Sequence, residues 1–226
     1  PLYQAVFSTV GATLDSVTYP QLIEGGAKPM HVIYPTVSPE QAAFIVGLSG
    51  ETPLKYQFDA QNALKDGSVE VIFSARTQDW KVVKKFTLHA DSYVMDMALT
   101  FEVRTSHPAP LRPRVFVAAP RLCAFGEREQ FQHLGRSTLQ IKEVLNGVVL
   151  DAEAGKMQQV SDVQRGTDAW VTPSLIGTEN NYFANVMVKD EQSFTQRGYF
   201  TGPESGSVSA IVEGPAVSES CTYALS

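Results

Sequence analysis

The chain predicts an all-β fold, a large antiparallel sandwich with few short helices. Three observations carry this. Apolar and polar residues alternate with period two along several runs, which puts one face of each run in a core. Turn-forming Gly, Pro, Asn and Asp residues recur between these runs at short, regular spacing. Helix-start signals are scarce. So many strands need two large sheets to bury their faces, which favours a sandwich over a barrel.

Residues 7–17, Phe7-Ser8-Thr9-Val10-Gly11-Ala12-Thr13-Leu14-Asp15-Ser16-Val17, read as an opening strand in which Gly11 allows a bulge or close backbone approach. Ser38-Pro39-Glu40-Gln41 has an N-cap, a proline at N1 and a capping-box Gln, and opens a short helix or a loop. The apolar run 42–48 and the strand 69–73 follow. Trp80, Val82, Lys84, Phe86 and Leu88 alternate along the next strand, and Ala90-Asp91-Ser92 forms a tight hairpin turn. Beyond it Tyr93, Met95, Met97, Leu99, Phe101 and Val103 share one face, with Asp96, Thr100, Glu102 and Arg104 on the other.

Residues 112–117 and 207–212 are further strands, and 126–131 add a helical turn. Asn146-Gly147, between an arm holding Leu139 and Ile141 and the run Val148-Val149, is a type I′ hairpin turn because both residues tolerate positive φ. The stretch 170–190 joins an isolated Trp170, a Gly177-Thr178-Glu179-Asn180-Asn181 turn and a buried strand over 182–188, with Tyr182 and Phe183 on opposite faces. No internal repeat and no long linker appear, so residues 1–226 form one domain.

Composition narrows the function classes. The chain has 226 residues, 43% hydrophobic and 19% charged, which is ordinary for a globular protein. Net charge is −6, and the densest basic patch, Lys81, Lys84 and Lys85, is too small for a nucleic-acid surface. No apolar run reaches the roughly eighteen residues of a membrane span, and no signal peptide is evident. Both ends sit in strand-like sequence, so the chain reads as excised from a longer protein. Cys123 and Cys221 read as two separate thiols rather than a bridge, which would close a long loop.

Chemistry is hard to find. His31, His89, His107 and His133 show no metal-ligand spacing, and no nucleophile elbow, phosphate loop or dinucleotide motif occurs. Catalytic, metal-binding and cofactor-binding residues are therefore all expected to be absent. Acidic pairs such as Asp91 and Asp96 carry no specificity, and Glu127-Arg128-Glu129 reads as a solvated turn. Trp170 reads as a core plug.

Three segments carry a family resemblance. Gly11-Ala12-Thr13-Leu14-Asp15-Ser16-Val17 resembles the opening strand of mutarotase-like β-sandwich domains. Lys85-Phe86-Thr87-Leu88 with Asp91-Ser92-Tyr93-Val94-Met95-Asp96-Met97 is similar to a hairpin of the first periplasmic domain of the YidC membrane-protein insertases. Trp170-Val171 followed by Asn181-Tyr182-Phe183-Ala184 resembles a second stretch of that domain, with Asn181 in place of the usual Lys. Residues 106–163 match no motif of it.

The resemblance implies a galactose-mutarotase-like β-supersandwich on the periplasmic face of the bacterial inner membrane. It also implies a non-enzymatic part in insertion and folding of membrane proteins, with Sec translocon components (SecDF, SecYEG) and nascent membrane proteins as partners. Gly11, Ala12, Phe86, Tyr93, Trp170, Asn181, Tyr182 and Phe183 are then structural signature residues. The competing class is a carbohydrate-active mutarotase or a sugar-binding sandwich. Its Asn-His-(Ser/Thr)-Tyr-Phe-Asn motif would place the catalytic His where this chain has Asn180, and an amide cannot serve as the general acid.

Overall fold

Seventeen strands and no helix make up the described residues of the computed structural model, which are 2–24, 28–34, 42–48, 53–122, 146–151, 155–160, 169–189, 194–202 and 208–226. The expected helix over 38–41, the helical turn over 126–131, Leu139, Ile141, the 127–129 cluster, Cys123 and His133 lie outside them. All strand pairs are antiparallel.

Strands β1 (Gln4–Ser8), β2 (Thr13–Glu24) and β3 (Lys28–Ile33) form a three-stranded sheet. The 7–17 stretch is therefore not one strand but the hairpin of β1 and β2, with Ser8 opposite Thr13. Gly11 (φ 73°) and Ala12 (φ 46°) turn the chain, in a left-handed conformation that a continuous strand excludes.

The largest meander runs β5 (Gln57–Ala63), β6 (Val69–Arg76), β7 (Trp80–Leu88) and β8 (Met95–Val103), with β17 (Cys221–Leu225) on the far side of β8. Its alternation matches the sequence expectation: Met97, Leu99 and Phe101 are buried and their neighbours less so. The β7–β8 connection is longer than a tight turn. Leu88 faces Met95, so residues 89–94 form the loop and Tyr93 belongs to it rather than to β8.

A second five-stranded sheet orders β12 (Ala169–Val171), β15 (Arg197–Thr201), β16 (Ser209–Glu213), β9 (Arg114–Ala118) and β4 (Val46–Gly47). The fourth orders β11 (Met157–Val160), β10 (Asn146–Leu150), β13 (Leu175–Glu179) and β14 (Ala184–Val188). Here the Asn-Gly hairpin does not form. Asn146 and Gly147 sit inside β10, paired with Glu179 and Thr178. Gly147 serves packing instead, since a Cβ there would lie 2.6 Å from the Phe200 ring. Gly177, Thr178 and Glu179, read as turn residues, likewise belong to β13.

One hydrophobic core collects side chains from both five-stranded sheets and the four-stranded sheet, including Phe86, Leu99, Val115, Val212, Val149 and Ile176. A second, smaller core joins Leu14, Val17 and Val32 of the three-stranded sheet to Ala118 of β9. The described residues thus form an all-β sandwich.

Lys84 stands at the centre of the largest sheet's inner face, in the cross-strand row Phe73–Lys84–Leu99–Tyr223. It is fully buried. Its Nζ donates to the carbonyls of Gly11 (2.6 Å), Ala12 (3.2 Å) and Phe44 (2.6 Å), and lies 5.1 Å from the Tyr56 ring centroid. Three acceptors match the three ammonium protons. All three carbonyls belong to residues with positive φ, Phe44 at 65°. Lys84 is therefore no part of a basic patch. Its neighbours Lys81 and Lys85 point the other way and pair with Glu102 and Glu70.

Lys84→Met leaves three buried carbonyls without their donor and should lower stability by roughly 3 kcal/mol in urea unfolding; a variant as stable as wild type would refute this role. Burial pushes the Lys84 ammonium well below the ordinary lysine range. The unfolded chain therefore binds this proton more tightly, and stability should rise with pH from the depressed folded value up to the unfolded one. That slope should vanish in Lys84→Met.

Candidate functional site

The stretch 170–190 folds around Asn180. Its own N–H donates to the Phe183 carbonyl (2.8 Å), and its Oδ1 accepts from the backbone N–H groups of Tyr182 (2.8 Å) and Phe183 (2.7 Å). Its Nδ2 donates to the Pro120 carbonyl at 3.0 Å. Asn180 is buried. Side-chain bonding to N–H groups two and three residues ahead is what Asx turns do. The β13–β14 reversal therefore occupies residues 180–183, and β14 starts only at Ala184. Tyr182 and Phe183 are turn residues, not strand residues with opposed faces. The strand itself is half-exposed at a sheet edge, with Met187 its one buried side chain.

Phe183 leaves this turn to stack on Tyr19 at 5.2 Å and 13°. Tyr19 contacts Tyr93 at 5.8 Å, and Tyr3 stacks beside Tyr93 at 6.3 Å. One aromatic row thus links the residue before β1, strand β2, the 89–94 loop and the β13–β14 turn. Tyr93 and Tyr182 are more than half exposed, 58% and 54%. Burial, followed by the nearby Tyr19 and Asp96, pushes the Tyr3 hydroxyl up to about 12. Burial first, then Tyr93, also raises Tyr19.

The signature residues do not converge. Gly11 and Ala12 cage Lys84, Phe86 is core, and Trp170 packs half-buried against Phe200 at 5.4 Å. Tyr93, Asn181, Tyr182 and Phe183 lie around the aromatic row. Lys84 and its cage were missed by sequence reasoning, although its position on the inward face between Val82 and Phe86 was a readable signal.

Titratable groups are dispersed. Asp96 bonds His89 Nε2 (2.7 Å) and the Ser226 hydroxyl (2.6 Å). The serine meets the carboxylate and not the imidazole, so the trio lacks the order of a nucleophilic relay. His31 is bonded to Thr18, and His107 to Ser106. Among the described residues no cluster of three metal-ligating side chains exists, and no helix is long and apolar enough to cross a membrane. Cys221 is half-buried on β17.

Comparison with known proteins adds two findings. The family described as the YidC periplasmic domain matches residues 1–218. The fold is similar to the crystal structure of the Slr1438 protein from Synechocystis sp. PCC 6803, with a TM-score of 0.50 and 10% identity over 99% of this chain and 90% of that one. At that identity the likeness speaks for the fold alone. No curated protein matches the chain.

Asn180→Ala removes three hydrogen bonds from a buried turn and should cost about 2 kcal/mol in urea unfolding; an unchanged midpoint would show the turn to be held otherwise. Tyr3 and Tyr19 stay neutral in the folded protein above the pH at which free tyrosine ionises. The unfolded chain then loses these protons first, so stability should fall as pH rises from about 10 to about 12. Tyr3→Phe should lessen that fall without abolishing it, because burial also raises Tyr34, Tyr56, Tyr199 and Tyr223.

Proposed function

The chain belongs to the YidC periplasmic-domain family, and on that premise we propose that it is a non-catalytic docking and spacing domain of an inner-membrane insertase in a Gram-negative bacterium. It assists the insertion and folding of membrane proteins by contacting Sec translocon components of the SecDF and SecYEG type, and nascent membrane proteins. Residues 1–226 act as one periplasmic domain, and Gly11, Ala12, Phe86, Tyr93, Trp170, Asn181, Tyr182 and Phe183 support the fold.

The match of the family over residues 1–218 carries this reading. Two features support it. The mutarotase histidine position is held by Asn180, whose side chain is committed to a turn. Among the described residues the β5 edge of the largest sheet pairs only with β6, and six of its seven residues are exposed. Such an edge offers backbone groups to an extended partner segment, while its bulge between Phe58 and Ala60 guards against indiscriminate pairing.

Photo-crosslinkers at Gln57, Asp59 and Gln61 in the full-length insertase should give adducts with SecDF components or nascent chains. A scan that yields none would sink the docking role. A polarimetric assay should show no acceleration of sugar mutarotation, and clear turnover would restore the enzyme class.

A further inference from the structure

The outward face of the second five-stranded sheet carries a charge cluster remote in sequence from the β5 edge. Val46, Val115 and Val212 point into the core, so residues one position along β9 and β16 point outward. Register places Val171, Arg197, Glu213, Arg114 and Gly47 in one row across all five strands. Glu213 is buried, 8% exposed, and accepts from Arg114 Nε (3.1 Å) and Arg112 Nη1 (3.2 Å). Those two guanidinium side chains stay half exposed, 50% and 53%.

Arg197 is exposed and lies 5.3 Å over the Tyr199 ring, and among the described residues no carboxylate lies within ion-pair distance of it. The Tyr199 hydroxyl is raised by burial first, and then feels Arg114, Glu213 and Arg197 together, so these charges act as one cluster. Among the described residues the exposed Arg197 adds a positive charge to this cluster that no carboxylate pairs. Support for Glu213 accounts for Arg112 and Arg114. It does not account for Arg197, or for Val171 beside it at 77% exposure.

We propose that this face docks on an anionic phospholipid surface. The Arg112, Arg114, Arg197 and Val171 side chains are exposed rather than enclosed in a cavity, which suits a surface more than an enclosed small anion. It joins cationic, amphipathic aromatic and exposed apolar side chains, the combination that favours the interfacial zone of a membrane. Guanidinium forks suit phosphate oxygens. The acidic remainder of the chain is screened beyond about 8 Å at physiological salt, so the local charge decides. The proposal uses only the family's periplasmic position beside the inner membrane, not the translocon docking above.

The test is co-sedimentation of the 226-residue protein with phosphatidylcholine vesicles, with and without phosphatidylglycerol. The one unpaired guanidinium, Arg197, near the surface should give roughly a fivefold preference for the anionic vesicles, weakened by salt. The double variant Arg197→Gln/Val171→Ser breaks no ion pair and should lose most of that preference. Glu213→Gln removes a negative charge and should raise it about fivefold; if that variant unfolds, the double variant decides alone. Equal binding to both vesicle types, or an unchanged double variant, overturns the proposal. So does binding of poly-glutamate by a protein that ignores the vesicles, which would assign the face to an acidic polypeptide. No protein partner is in the assay, so failure here leaves the translocon docking untouched.

Discussion

The ammonium of Lys84 is the interaction on which the rest of the sandwich depends. It leaves the middle of the largest sheet and reaches the β1–β2 turn and the segment carrying Phe44, which lie in different parts of the chain. Each partner residue holds a left-handed backbone conformation, which costs Ala12 and Phe44 a penalty that glycine avoids. A donor that satisfies all three carbonyls offsets that strain, although burial still disfavours its charged form. The arrangement is all-or-none, because an ammonium short of acceptors in a dry core is far worse than none. It therefore specifies how the three-stranded sheet seats against the meander, beyond what apolar packing demands.

Aromatic packing continues from this point. Phe86, next inward of Lys84 on β7, contacts Phe7, Phe44 and Phe73, so the same segments that bond the lysine also pack around it. Farther out, the row of Tyr3, Tyr93, Tyr19 and Phe183 closes the opposite end of the smaller core. Polar fixing by Asn180 and Lys84 and aromatic stacking thus converge on the junctions between sheets. Cross-strand hydrogen bonds hold each sheet, but these contacts decide how sheets meet.

The two proposed contact surfaces follow from what the core leaves outside. A buried glutamate with two partially exposed arginines sits on a sheet whose inward residues Val46, Val115 and Val212 are buried and apolar. The β5 edge is exposed because the meander ends there.

The sequence by itself determined the all-β class, the alternating faces of β7 and β8, and the family, because each depends on local periodicity or on short motifs. It misplaced features whose conformation is set from a distance. Asn146-Gly147 has the composition of a turn, yet Gly147 is needed inside a strand so that Phe200 can approach. Tyr182 and Phe183 alternate like strand residues, yet Asn180 holds them in a turn. Lys84 read as surface charge because its three acceptors lie about forty or more residues away along the chain. Only the tertiary structure decided these, since partners remote in sequence outweigh local preferences of about a kilocalorie per mole once they supply packing and buried hydrogen bonds.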